Sequence, residues 1–303
     1  MTDTISALIP VRDGMPYIVG AIRSLQGQTR PLDEIVVVDD GSQDDTPAVL
    51  RDEATNDGRI RVVTLPASGL VAALNRGLAA AQGTWIARLD ADDVARPNRI
   101  QTQMAFVEVH PNLALVGCAY GFINRDGERF SRDTHLTMRQ SPTFDPLHDP
   151  NVPHQGVIFK RQAVMEIGGY RDLVPAEDMD LWLRLAERQT LGYCDEALVD
   201  VRIRRDGISS TRFFDQRIMW SYVRDCARAR RTGRNELDFT SWLASYEPGT
   251  AKKRRWAAEY AIRSSAAAWA DGKRLTAVAT AAKAGILNPA SVVTKARRLK
   301  RRP

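Results

Sequence analysis

The chain has 303 residues, 44% of them hydrophobic and 26% charged, enough to bury a core without disulfide staples. No stretch reaches the roughly 20 apolar residues of a membrane span, since even residues 266–293 are interrupted by Asp271, Lys273, Arg274 and Lys283. The formal net charge of +6 conceals a split: residues 1–200 hold 19 Lys and Arg against 29 Asp and Glu, and residues 201–303 hold 24 against 8, which points to two regions with different partners.

Residues 4–11 form an apolar run, and Pro16 then opens a pattern with Tyr17, Ile18, Ala21, Ile22 and Leu25 on one face, so strand, loop and helix are predicted. Residues 34–40 are a β-branched run ending in Gly41 and Ser42, with a polar helix start at residues 44–47. Residues 60–65 read as a third strand, 69–82 as a helix with an Ala and Leu face, and 84–89 as a fourth strand. That alternation predicts a parallel sheet with right-handed crossovers. A helix follows Pro97. Residues 113–123 with a turn at 125–127 then read as a hairpin, which makes the middle of the chain mixed. A loop rich in Pro and Asp spans 143–153, followed by a strand at 155–160 and helices near 161–167 and 178–188. Beyond Arg212 the pattern is helical, and no internal repeat is present.

The cysteines Cys118, Cys194 and Cys226 are far apart and lack zinc-like spacing, so buried thiols of a reduced, cytosolic protein are expected. The N-terminal residues carry no basic segment ahead of their apolar stretch, so no secretory signal is expected.

Ligands of open α/β sheets bind at the carboxyl ends of the strands. Three such ends carry acids: Asp13 after the first strand, Asp39 and Asp40 after the second, and Asp90, Asp92 and Asp93 after the fourth. Carboxylates packed on one turn repel one another unless they share a cation, and hard divalent ions prefer oxygen ligands. Taken alone, the turn also suits a solvated helix start. A later pair, Glu177 and Asp178, opens a helix and admits the same capping explanation.

The joint order of these segments resembles the family 2 glycosyltransferases: IPVRDG at 9–14, VVVDDGSQDDT at 36–46, GLVAALNRGLAAAQG at 69–83, RLDADDVARPNRI at 88–100, NVPHQGVIFKR at 151–161 and AEDMDLWLRLAE at 176–187. The resemblance covers residues 4–210. It implies an α/β fold of the GT-A type, a nucleotide-binding sandwich with a mixed central sheet, followed by a helical C-terminal region. The implied division is a catalytic domain at 1–210, with nucleotide-sugar binding in about 1–100 and the acceptor part in about 101–210, and a helical region with a basic tail at 211–303.

The resemblance also assigns roles. Pro10 and Asp13 sit where the family's first loop meets the nucleotide. Asp40 matches the aspartate that contacts the base, with Asp39 beside it, while Asn75 and Arg76 lie on a helix that approaches base and diphosphate. Asp90 and Asp92 match the motif for Mn2+ or Mg2+, Asp92 as the direct ligand. Asp178 matches the catalytic base, and the helix N-terminus is expected to favour its ionised form. His154, Gln155 and Glu177 fall on the acceptor side. Trp182 shares a helical face with Asp178; it reads first as a core residue and second as a stacking platform for an acceptor sugar.

Three positions depart from the family's pattern. Leu74 stands where many relatives have a basic residue, and Arg204 stands in a closing-loop-like segment where His is frequent. Arg204 cannot bind a metal but can pair with a diphosphate through two parallel hydrogen bonds. Residues 216–220 resemble the Gln-x-x-Arg-Trp of processive synthases with Met219 in place of Arg, which fits a single-addition enzyme.

The implied reaction is inverting transfer from a nucleoside-diphosphate sugar, a UDP-sugar first among them, to a saccharide or lipid-linked acceptor in cell-envelope polysaccharide or glycolipid synthesis. Nucleotidyl transfer is the alternative, but residues 11–14 lack its glycine-rich, basic phosphate loop. Nucleic-acid binding by the basic half is the other, and that half carries no helix-turn-helix or aromatic RNA signature, so no nucleic-acid partner is expected. Lys295, Arg297, Arg298, Lys300, Arg301 and Arg302 suit an anionic membrane surface, which implies a cytoplasmic enzyme, peripheral at the inner face of the membrane.

Overall fold

The structure is a computed structural model, and it describes residues 3–130, 133–134, 143–148 and 152–288. The basic tail at 295–302 lies outside the described residues. Contacts divide the chain into two units, residues 1–122 with 131–202 and residues 123–130 with 203–303.

The first unit begins with strict alternation: β1 (Ile5–Val11), α1 (Ile18–Gln26), β2 (Glu34–Asp40), α2 (Thr46–Asn56), β3 (Ile60–Leu65), α3 (Leu70–Ala80) and β4 (Trp85–Arg88). β1 lies between β2 and β4, and β3 flanks β2, all in parallel. Every residue of β1 is buried, because helices cover both faces, and strands in that position read as near-continuous apolar runs. Alternate side chains separate into two cores. Ile5, Ala7, Ile9 and Val11 meet Ile18, Ile22 and Leu25 of α1 on one face, whereas Leu8, Val36 and Val38 meet Val71, Leu74 and Leu78 of α3 on the other. Each such fully buried aliphatic side chain contributes about 1.5–3 kcal/mol. Gly77 seats α3 tightly: a Cβ there would lie 2.1 Å from Leu8 Cδ1 and 3.1 Å from Val38 Cγ2.

The chain continues through β5 (Val94–Ala95), α4 (Arg99–Val109), β6 (Leu113–Ile123), β7 (Thr143–Phe144), a 3-10 turn (His154–Gly156), β8 (Ile158–Lys160), α5 (Arg161–Glu166), α6 (Glu177–Leu185) and β9 (Thr190–Arg202). The sheet order is β3-β2-β1-β4-β8-β6-β9-β5, with β7 on β9. β8 runs antiparallel to β4 and β6, so the sheet is mixed, as expected for its middle part. Two details differ from the sequence expectation. Residues 155–160 divide into the 3-10 turn and a shorter strand, and the 13-residue β9 falls where no strand is predicted.

The second unit is helical: α7 (Ile208–Thr211), α8 (Phe213–Arg231), α9 (Phe239–Ser245), α10 (Thr250–Ala270) and α11 (Arg274–Leu287). Tyr222, Phe239, Trp242 and Tyr246 form an aromatic cluster with centroid separations from 4.1 to 6.2 Å. The segment that resembles a synthase motif lies inside α8, where the Arg217 guanidinium sits over Phe213 and Trp220 and pairs with Glu259 at 3.0 Å. All three cysteines are buried. No described helix is long and apolar enough to cross a membrane.

Candidate active site

Parallel strands deliver their C-terminal loops to one edge of the sheet. The β1 and β2 loops are laced together there. Asp13 takes a left-handed backbone with φ 51°, which a short polar side chain tolerates. Its Oδ1 accepts Gln43 N–H at 2.7 Å, its own N–H donates to Ser42 Oγ at 2.9 Å, and Gly14 N–H donates to Thr46 Oγ1 at 2.8 Å. Asp39 Oδ1 accepts Ser42 N–H at 3.0 Å, closing the turn after β2. Both oxygens of Asp40 accept backbone donors ahead of α3, Ser68 N–H at 2.6 Å and Gly69 N–H at 2.9 Å. Pro10 is buried within β1 in register with Val38, at the strand end that leads into this loop.

Asn75 lies on α3, as expected, and is bonded to a distant loop. Its Nδ2 donates to Tyr170 O at 2.9 Å and its Oδ1 accepts Tyr170 N–H at 2.9 Å, a reciprocal pair that spends the carboxamide on a distant loop. Gly169 permits that approach, since a Cβ there would stand 2.6 Å from Asn75 Oδ1 and its φ is +68°. Arg76, the next residue, is exposed on α3, while Leu74 is fully buried in the core.

The acidic turn after β4 is organised by a residue that the sequence reading passes over. Arg88 is 1% exposed, and its Nη2 donates to Asp90 Oδ1 at 2.6 Å while Nε and Nη1 have no partner. Asp92 is half-buried on the turn, and its carbonyl accepts Arg202 Nε–H at 2.8 Å. Asp93 points inward and accepts Arg202 N–H at 2.7 Å; burial and the charges of Asp92 and Asp90 hold its carboxyl well above the usual range. The Arg202 guanidinium also stacks over Tyr17, 4.5 Å from the ring centre. Among the described residues no three or more His, Cys, Asp or Glu side chains converge as a closed metal site. Asp90 and Asp92 offer hard oxygen donors in the number that suits an ion sharing its shell with substrate phosphates.

On the facing side, His154 is buried, and its Nε2 lies 2.8 Å from Tyr170 Oη. Burial and the Arg88 charge press its pKa well below the usual value, so the ring is neutral. Gln155, the next residue of the 3-10 turn, is half-exposed. Glu177 is 7% exposed with Oε2 unpartnered, and burial followed by the Asp178 charge pushes it up to about 8. Asp178 Oδ1 accepts Met179 N–H at 2.7 Å. Burial outweighs the N-terminal backbone donors and lifts Asp178 to about 6, upward where the helix end alone implies downward. Arg88, Asp90, Glu177 and Asp178 all bear on the ionisation of Tyr170, so these groups face a common region.

Trp182 fits the first of its two readings, a core residue, and Arg204 is placed beside Asp206. Trp182 is 1% exposed and packs edge-on against His154 at 5.7 Å and near Phe159 at 6.3 Å, which leaves no open face for a sugar. Arg204 lies in the second unit and pairs with Asp206, at 2.9 Å through Nη2 and 3.1 Å through Nε. Of the residues that the sequence reading passes over, Arg88 has a visible signal: an arginine inside an otherwise apolar strand requires a buried acceptor. Tyr170 has none, because its partners come from distant segments.

A family model described as Glycosyl transferase family 2 matches residues 6–168, more than half of the chain. The amylovoran biosynthesis glycosyltransferase AmsE of Erwinia amylovora is 29% identical over 204 residues, which cover 67% of this chain and 74% of that protein. The structure of S. aureus TarS in complex with UDP-GlcNAc superposes with a TM-score of 0.59 at 16% identity, covering 92% of this chain and 89% of that one. The Pyrobaculum calidifontis mannosyltransferase PcManGT, in complex with GDP-Man and Mn2+, superposes with a TM-score of 0.57 at 20% identity over 99% and 81% of the two chains. At those identities the structural likeness establishes the fold, which is of the GT-A type. The comparisons favour glycosyl transfer over nucleotidyl transfer or nucleic-acid binding.

The reciprocal Asn75–Tyr170 pair makes Asn75→Ala a stability variant. Loss of two partly buried hydrogen bonds is expected to cost about 1–3 kcal/mol, read as a lower urea midpoint. Nucleotide binding should stay within a few-fold; unchanged stability with lost nucleotide binding would place Asn75 in the donor site.

Proposed function

Because the chain belongs to glycosyltransferase family 2, we propose that it is an inverting, metal-dependent enzyme acting from a nucleoside-diphosphate sugar, a UDP-sugar first among them. The acceptor is a hydroxyl of a saccharide or lipid-linked saccharide in cell-envelope polysaccharide or glycolipid synthesis. Three comparisons support the reading: AmsE is named for amylovoran biosynthesis, TarS is in complex with UDP-GlcNAc, and PcManGT is in complex with GDP-Man and Mn2+. The observation that carries it is the charge cluster in which Glu177 and Asp178 on α6 lie within electrostatic reach of buried Arg88 and of Asp90 just after β4.

In this reading the laced loops around Asp13, Asp39 and Asp40 receive the nucleoside, with exposed Arg76 available to the diphosphate. Asp92, with Asp90 beside it, would hold Mn2+ or Mg2+. When bound, that ion supplies charge neutralisation for the departing nucleoside diphosphate. Arg88 fixes the Asp90 carboxylate from beneath. Asp178 has Oδ1 tied to Met179 N–H and turns Oδ2 to the acceptor hydroxyl, whose proton it takes as the oxygen attacks the anomeric carbon. Glu177, held protonated at neutral pH, keeps a second negative charge away from Asp178 and can donate to an acceptor oxygen. One displacement opposite the leaving group inverts the anomeric configuration. We further place the enzyme at the inner face of the membrane, with the cations of residues 295–302 against anionic lipid.

Asp178→Asn is expected to lower transfer by at least about a hundredfold while nucleotide-sugar affinity changes no more than a few-fold, measured by product formation and equilibrium titration. Normal turnover would place the base elsewhere. In the unsubstituted enzyme the rate should fall as pH drops through about 6, since protonation removes the base; a cation beside Asp90 moves that limb lower. A limb a full unit higher contradicts Asp178 as the titrating base. Asp92→Ala should weaken nucleotide-sugar binding and abolish its dependence on added Mn2+ or Mg2+, because the ion joins protein to diphosphate. Retention of metal-dependent affinity would remove Asp92 from the site.

A further inference from the structure

The last described helix is built inside out. α11 packs against α10 through Ala277 and Ala284, both buried, with Ser265 Oγ–H donating to Ala277 O at 2.7 Å. Its large apolar side chains face solvent: Leu275 is 88% exposed, Val278 62% and Ile286 79%. At 3.6 residues per turn, Leu275, Ala282 and Ile286 fall within about 40° of one another, with Val278 about 40° beyond, opposite the two buried alanines. Ordinary surface helices do the reverse and bury their large side chains. Isolated exposed apolar residues need no explanation, but a row along one helix face does.

The charges on α11 itself are of one sign. Arg274 flanks it on one side and Lys283 on the other, and the Arg274 guanidinium lies 5.0 Å from the ring centre of Trp269, itself 44% exposed. Residues 272–303 hold nine Lys and Arg and no Asp or Glu. An apolar stripe edged by cations and an aromatic, continuing into basic chain, matches the chemistry of an anionic lipid surface. The apolar row enters the boundary between headgroups and acyl chains while the cations meet phosphates.

We propose that the exposed Leu275, Val278 and Ile286 face of α11 is a membrane-docking surface for anionic lipid, inserted beside the cations that border it. This deepens the membrane reading given above and is independent of the transfer chemistry. That reading needs only the tail's charge, whereas this one needs the apolar face.

The test is co-sedimentation with vesicles of phosphatidylcholine alone, or with roughly a third phosphatidylglycerol, at low and high salt. Three proteins are compared: the full chain, the full chain carrying Leu275→Gln, Val278→Gln and Ile286→Gln, and a chain ending at Asn288. The full chain is expected to bind anionic vesicles and to bind neutral ones far less. The triple variant should lose at least about tenfold in binding with its melting temperature and nucleotide binding unchanged, because all three positions are solvent-facing. The chain ending at Asn288 should keep a weaker binding with reduced salt sensitivity. Undiminished binding by the triple variant would overturn the α11 proposal while sparing the tail reading, and absence of binding by the full chain would overturn both. Concentration-dependent dimerisation that the triple variant abolishes, without vesicle binding, would assign the face to a second copy and likewise overturn the proposal.

Discussion

A guanidinium with 1% of its surface exposed sits at the end of β4, under the loop where the chemistry is placed. A full charge in that position is tolerated only with acids close by, and its neighbours answer to it. Asp90 is held by it at 2.6 Å. His154 is kept neutral partly by it, and Glu177 and Asp178 feel it against the burial that drives their carboxyls upward. The Arg88 carbonyl also receives Arg99 Nη2–H at 2.8 Å, so a second buried arginine braces the same strand end. Removing the positive charge would alter the acidic turn and the α6 carboxylates together, which makes Arg88 the link between the two halves of the site.

Around that charge the loops are fixed by side chains that bind backbone. Asp40 holds the entrance to α3, and Asp13 and Asp44 tie the β1 and β2 loops. The segment from Ile167 to Arg171 is held by Arg184 at two carbonyls, by Asp180 through Arg171, and by Asn75. Such anchors restrict the loops before any ligand arrives, so less ordering entropy is lost on binding.

The sequence makes the first half of the fold plain, because β1, β2 and β4 are buried on both faces and their apolar runs have no other economical explanation. β9 is hidden by its own chemistry: exposed Asp195 and Glu196 interrupt two buried runs and erase the period of two. The carboxylates are visible as motif positions: Asp40 ends β2, Asp13 and Asp90 lie on the loops after β1 and β4, and Asp178 lies in the first turn of α6. Helical spacing fixes a face but not what that face meets. Asn75 meets a loop 95 residues away, and Trp182 meets His154 across the second core.

The Asn75 carboxamide, Gly169 and Arg184 form an interlock between segments that sequence order keeps far apart. Asn75 requires a glycine opposite, and Arg184 requires the carbonyls that this glycine's left-handed turn presents. Changes at these positions therefore cannot combine independently, since each removes the setting in which the others are tolerated. For anyone exchanging the segment before α6 with that of a relative, the unit of exchange is discontinuous: position 75 and position 184 must travel with the graft.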